Sequence, residues 1–153
     1  MQRFIISFVM LVVVSVSPLI SPIVAAPKMR METIVVVTST GRHLFAVEIA
    51  DTPSHRRQGL MQRTQLASDS GMLFDNGVDR EMYMWMKDTI LSLDMIFINK
   101  DGVVVNVTKN TVPFSEAIIP SGQPVRGVLE VIAGTADRIN LKPGDRIERP
   151  LFR

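Results

Sequence analysis

Short apolar runs recur through this chain at close spacing, each bounded by Gly, Pro, Asn, Asp or Ser, and that rhythm leaves little room for anything except β structure. Val35, Val36 and Val37 precede the turn-prone Ser39-Thr40-Gly41. Leu44 to Ile49 then alternates, and the pair predicts a hairpin with Phe45, Val47 and Ile49 on the buried face. Gly71 to Phe74, Met82 to Met86 and Asp94 to Asn99 are further strand candidates, the last apolar on both faces and therefore central. Asp101-Gly102 is the strongest hairpin signal, returning into Val103, Val105 and Val107 with Asn106 and Thr108 opposite. Gly127 to Ala133 and Arg146 to Arg149 complete the strands, the latter after a type II turn at Lys142-Pro143-Gly144-Asp145.

Two helices interrupt the series. Thr52-Pro53 reads as an N-cap and first-turn proline, opening a short polar helix from Ser54 to Arg63 whose apolar face is little more than Leu60 and Met61. Gly59 inside it costs about 1 kcal/mol against Ala, so a close backbone approach is expected there. A second short helix is expected around Gly134 to Ile139, and Ala117 to Pro124 reads as an irregular loop. The expected fold is all-β with one or two short helices, a compact β-sandwich or small barrel.

The amino terminus has a different character. A lone charge at Arg3, an apolar run from Phe4 to Ile20 and small residues at Val24, Ala25 and Ala26 match a secretory signal peptide over residues 1–26. The alternative is an uncleaved anchor, since Phe4 to Ala26 just reaches the roughly 20 residues that span a bilayer; Pro18 and Pro22 weaken it as a continuous helix. Either way, residues 27–153 are expected to form one periplasmic or secreted domain, touching membrane only through an uncleaved leader. The chain has no cysteine, which excludes a disulfide framework, a thiolate metal site, a Cys nucleophile and a lipobox anchor. Lys and Arg number 17 against 15 Asp and Glu, so no nucleic-acid footprint is implied.

Four short words stand out from the apolar background. They are Gly59-Leu60-Met61-Gln62-Arg63, Gly71-Met72-Leu73-Phe74, Trp85-Met86-Lys87-Asp88-Thr89 and Leu93-Asp94. The set resembles DUF192, a family of small prokaryotic proteins with no established activity, whose words read Gly-Leu-Met-x-Arg, Gly-Met-Leu-Phe, Trp-Met-Lys-Asn-Thr and Leu-Asp. The resemblance covers about Leu44 to Ile147 and implies a compact β-sandwich. The chain departs from the usual word at Asp88, where Asn is commoner in the family; the change keeps shape and adds charge.

Candidate site residues lie in or near these words. Lys87, Asp88 and Asp94 bracket a bend between apolar strands, and Arg63 and Glu130 are charged residues set beside apolar runs. A Lys with several carboxylates could hold a polar ligand, and two of Asp88, Asp94 and Glu130 at suitable separation could do acid/base work on cell-wall or polysaccharide material. The same charges could instead pair in a buried network that fixes register. Trp85 could form an aromatic wall for a sugar or peptide, or fill space between sheets. Met82, Met84 and Met86 share one face of a strand, which suits either core packing or soft Cu(I) binding. His43, beside a turn, and His55, in the first helical turn, are expected to be exposed. No nucleophile elbow, phosphate loop, dinucleotide fingerprint or zinc pair occurs.

The expectation is a non-catalytic exported domain, with no cofactor or metal, that binds a small molecule, glycan or envelope protein through Arg63, Trp85, Lys87, Asp88, Asp94 and Glu130. A hydrolase and a periplasmic copper-handling protein are the alternatives.

Overall fold

A computed structural model describes residues 28–149. The expected leader therefore lies outside the described residues. Nine strands and two short helices follow in order: β1 (Arg30–Thr38), β2 (Gly41–Ala50), α1 (Pro53–Gln58), β3 (Ser70–Arg80), β4 (Tyr83–Met84), β5 (Leu93–Ile98), β6 (Val104–Thr108), β7 (Ile119–Pro120), β8 (Val125–Ile132), α2 (Thr135–Arg138) and β9 (Arg146–Glu148). Seven strands form one sheet in the order β6-β5-β8-β3-β2-β1-β9, and β4 pairs with β7 in a small second sheet.

The large sheet curls into a half-barrel whose two edges meet at one end. Val103, just before β6, bridges Arg146 on β9, and the Val104 and Ile147 amides donate to the Asp145 and Gly102 carbonyls at 2.8 and 2.7 Å. This junction relieves part of the exposed-edge problem of an open sheet. Its concave side holds one core cluster, including Ile34, Phe45, Val47, Leu73, Ile96, Leu129 and Ile147, stoppered by Ala136, Ile139 and Leu141 around α2. The opposite side holds a second cluster of Leu60, Met72, Phe74, Met82, Met86, Leu93, Met95, Phe97, Val125 and Val128. Strand β5 is buried at every position, as its two-sided apolar pattern predicts. Each fully buried Leu, Ile or Phe contributes about 1.5–3 kcal/mol, so two clusters take the place of disulfides.

Connections follow their turn chemistry. Strands β2 and β3 run parallel, which requires a crossover, and α1 lies within it. The Thr52 hydroxyl accepts from the His55 amide at 3.1 Å, and Pro53 occupies the first turn. The helix stops at Gln58 rather than Arg63 because Gly59 leaves helical space, at φ 48° and ψ −139°. A Cβ on Gly59 would stand 3.2 Å from Phe74 Cζ, which is the close approach the sequence called for.

Other expectations shift in detail. The Met82–Met86 strand shortens to Tyr83–Met84, because the Met82 amide donates to Ser121 Oγ and the Met86 amide to the Ser115 carbonyl. Part of the irregular Ala117–Pro124 loop becomes β7. In the β5–β6 hairpin, Ile98 pairs with Val104 while Phe97 pairs with Asn106, so Val105 is a bulged residue. The bulge breaks the expected alternation: Val104 and Val107 face the concave core, whereas Val105 packs on the other side.

Candidate functional site

The outer cluster is not sealed. Where the segment after α1 meets the end of β3 and the small sheet, a cleft of about 440 Å³ opens. Arg56, Arg57, Gly59, Leu60 and Met61 form one wall; Phe74, Asn76 and Arg80 of β3 form another; Met82, Tyr83, Met84, Trp85 and Thr89 form a third. Glu130 of β8 also lines it.

Register explains how an acid reaches this position. Glu48 pairs with Met72, Met72 with Glu130, and Glu130 with Met95, giving one cross-strand row on the outer face. Glu130 is 4 % exposed, and burial pushes its carboxyl up to about 8. Near pH 7 it is therefore mainly neutral. Among the described residues lining the cleft it is the only acid, and three arginines share that lining. Arg56 is committed to the fold, donating to the Asp51 and Asp75 carbonyls at 2.6 and 2.9 Å. Arg57 and Arg80 are exposed, and Arg80 donates to Asn76 Oδ1 at 3.1 Å.

Of the six candidate ligand-binding residues, the cleft brings together Trp85 and Glu130. Trp85 is 44 % exposed rather than wedged between sheets, and Lys87 Nζ lies 5.4 Å from its ring centroid. Lys87 and Asp88 do not line the cleft. Asp88 is exposed at φ 51°, a left-handed conformation that Asn and Asp tolerate better than most residues, so backbone geometry accounts for Asn or Asp at this position. Its carbonyl accepts from the Gln62 amide at 2.8 Å, tying two of the four words together.

Arg63 and Asp94 serve the fold. Arg63 makes a two-pronged pair with Glu48, one contact at 2.7 Å, and that hydrogen bond raises the guanidinium above its ordinary value. Asp94 is fully buried and accepts from the Asn110 and Ala136 amides at 2.9 and 2.8 Å. The second contact satisfies an otherwise orphaned donor in the first turn of α2. The thioethers of Met82, Met84 and Met86 all join the outer cluster, but Met82 and Met84 line the cleft while Met86 does not. His55, expected to be exposed, is buried with Nδ1 3.9 Å from Asp51; His43 is half-buried, with Nε2 2.9 Å from the Thr40 hydroxyl.

Sequence reasoning missed Arg56, Arg57, Arg80, Tyr83, Phe74 and Met61 as cleft residues. A signal was present in α1, whose sequence Pro-Ser-His-Arg-Arg-Gln has adjacent arginines and no acid to balance them.

The fold recurs among solved structures. A protein of Sinorhizobium meliloti 1021, provisionally described as a transcription regulator, is 49 % identical with a TM-score of 0.78, covering 81 % of this chain and 97 % of that one. A protein of unknown function from Novosphingobium aromaticivorans DSM 12444 is 36 % identical with a TM-score of 0.76, covering 82 % and 94 %. No curated protein matches. The family model DUF192, described as Uncharacterized ACR, matches residues 35–149, and the chain belongs to that family.

Proposed function

We propose that the protein is a non-catalytic, exported binding domain whose cleft takes a small organic ligand with an apolar or planar body and an anionic end. The carrying observation is the charge asymmetry of the lining: Arg56, Arg57 and Arg80 share it with a single acid that burial keeps mainly neutral at pH 7. Leu60, Phe74, Met82, Met84 and Trp85 offer apolar and aromatic surface beneath those charges. A few polar groups around an apolar concavity is the usual make-up of a small-ligand pocket, and about 440 Å³ falls in the usual size range.

The alternatives fit less well. Paired-carboxylate hydrolysis needs a second acid, and among the described cleft residues Glu130 stands alone. The copper reading loses Met86 to packing, leaving Met82 and Met84 with Met61 at the cleft. A transcription-regulator role, the provisional description of one relative, has weaker support: Lys and Arg exceed Asp and Glu by only two in the chain, and Arg42 and Arg63 are engaged by Glu148 and Glu48.

Anilinonaphthalene sulfonate, a planar apolar body with one anionic group, is the test probe. Its fluorescence should rise with the natively folded domain, fall with added salt, and be lost in the double variant Arg57→Ala, Arg80→Ala. Binding that ignores both the salt and the variant overturns the reading. Export rests on the leader pattern, and intact mass of the secreted form should show loss of about 25 residues.

A further inference from the structure

Three carboxylates are buried among the described residues, and two of them are satisfied. Asp75 accepts from the Gly77 amide and Arg126 Nε at 2.8 and 3.1 Å, and Asp94 accepts from two backbone amides. Glu130 differs. No hydrogen-bond donor or cation among the described residues meets its carboxyl, and burial alone accounts for its altered acidity.

Its neighbours in the cross-strand row cannot compensate it. Met72 and Met95 flank it, and their thioethers donate no hydrogen bond. Glu48, further along the row, already holds Arg63. A Leu or Met at position 130 would pack against the outer cluster without the cost of burying an acid. The acid instead lines a cleft that opens to solvent, beside aromatic side chains. One of those rings, Trp85, already receives a cation, the Lys87 ammonium.

We propose that Glu130 receives a protonated amine of the ligand, so that the cleft takes a small zwitterion, namely a short peptide with apolar side chains. This rests on the cleft reading above and deepens it. The peptide ammonium meets Glu130, its carboxylate meets Arg57 or Arg80 at the mouth, and its side chains lie along Leu60, Phe74 and Trp85. An ammonium brought to a buried carboxyl favours the ionised form, so Glu130 passes its proton to solvent while the amine keeps its own. The resulting ion pair is strengthened by the low dielectric of the site. The cleft volume, about 440 Å³, suits a di- or tripeptide rather than an extended polymer.

Isothermal titration at pH 7 with leucyl-phenylalanine, its N-acetyl form and its C-terminal amide tests the assignment, using two buffers of different ionisation enthalpy. The free dipeptide should bind with proton release, and each blocked form should bind at least about tenfold more weakly, about 1.4 kcal/mol. Glu130→Gln should stay folded by thermal midpoint, bind the free dipeptide at least about tenfold more weakly, and release no proton. Equal binding of the N-acetyl form overturns the ammonium site. Equal binding of the amide overturns the zwitterion, since the cleft would then read only a chain's amino end. Should anilinonaphthalene sulfonate bind while the dipeptide does not, this proposal fails and the anion-binding cleft stands.

Discussion

Asp94 and Glu130 sit one rung apart on the β5–β8 ladder and leave the sheet on opposite faces: Asp94 pairs with Val131, and Glu130 with Met95. The inward acid ties α2 and the Asn110 turn to the barrel through two backbone amides; the outward acid reaches the cleft. Charge deletion should therefore separate them. Asp94→Asn places an amide N–H₂ or a lone oxygen where two donors converge, and should cost about 3 kcal/mol. Glu130→Gln removes a desolvated acid and should be neutral or stabilising at pH 7. Urea midpoints at constant slope report the difference, and a similar large loss in both variants would sink the division of roles.

Stability should also depend on pH through Glu130 with a definite sign. Its ordinary value is 4.5, and in the folded protein it rises to about 8. Below 4.5 both folded and unfolded chains hold the proton, so the stability it permits is fully present. Between 4.5 and about 8 the unfolded chain releases the proton first, so this contribution declines as pH rises, by up to about 1.4 kcal/mol per unit. Above that window it is flat. The difference in unfolding free energy between Glu130→Gln and the parent should thus grow from about pH 5 to about pH 8 in the variant's favour; a constant difference across that range would refute the raised carboxyl.

Two glycines on the β3–β8 ladder are required by steric approach. A Cβ at Gly71 would stand 2.5 Å from the Glu130 carbonyl oxygen, and one at Gly127 would stand 2.5 Å from the Phe74 carbonyl oxygen. Backbone cannot yield as a side-chain tip can. Gly71→Ala and Gly127→Ala should each cost more than about 3 kcal/mol. Gly77 has φ 75°, and a Cβ there would meet no atom within 4 Å, so the same change should cost only about 1 kcal/mol. Thermal midpoints that rank Gly77→Ala as the most damaging would contradict the strand geometry.

The strand pattern was legible because period-two burial writes itself into sequence: Phe45, Val47 and Ile49 are inward as expected, and the Asp101-Gly102 turn joins β5 to β6. The bulge at Val105 was not legible, since one extra residue on a strand rich in Val leaves no compositional mark. Trp85 stood out as the chain's single Trp beside a charged bend and Glu130 as an acid within an apolar run, and both line the cleft. Arg63 and Asp94 stood out too, yet their partners, Glu48 and the Asn110 and Ala136 amides, are distant in sequence and only the fold reveals them. Arg57 and Arg80 went unnoticed because an exposed arginine on a polar segment looks the same whether or not a cleft lies beneath it.

An ion pair fastens one wall of the cleft to the sheet. Arg63 follows the turn Gly59-Leu60-Met61 that forms one wall, and its two-pronged pair with Glu48 fastens that segment to β2. Both partners are partly exposed, at 34 % and 22 % of their side chains, so screening limits the pair to the scale of a good surface ion pair, about 1 kcal/mol. A double-mutant cycle of Arg63→Ala and Glu48→Ala should return a coupling of about that size. Amide exchange at Gln62, whose N–H reaches the Asp88 carbonyl, should quicken in Arg63→Ala as the wall loosens. Coupling near zero together with unchanged exchange would mean that packing of Leu60 against the outer cluster holds the wall without the ion pair.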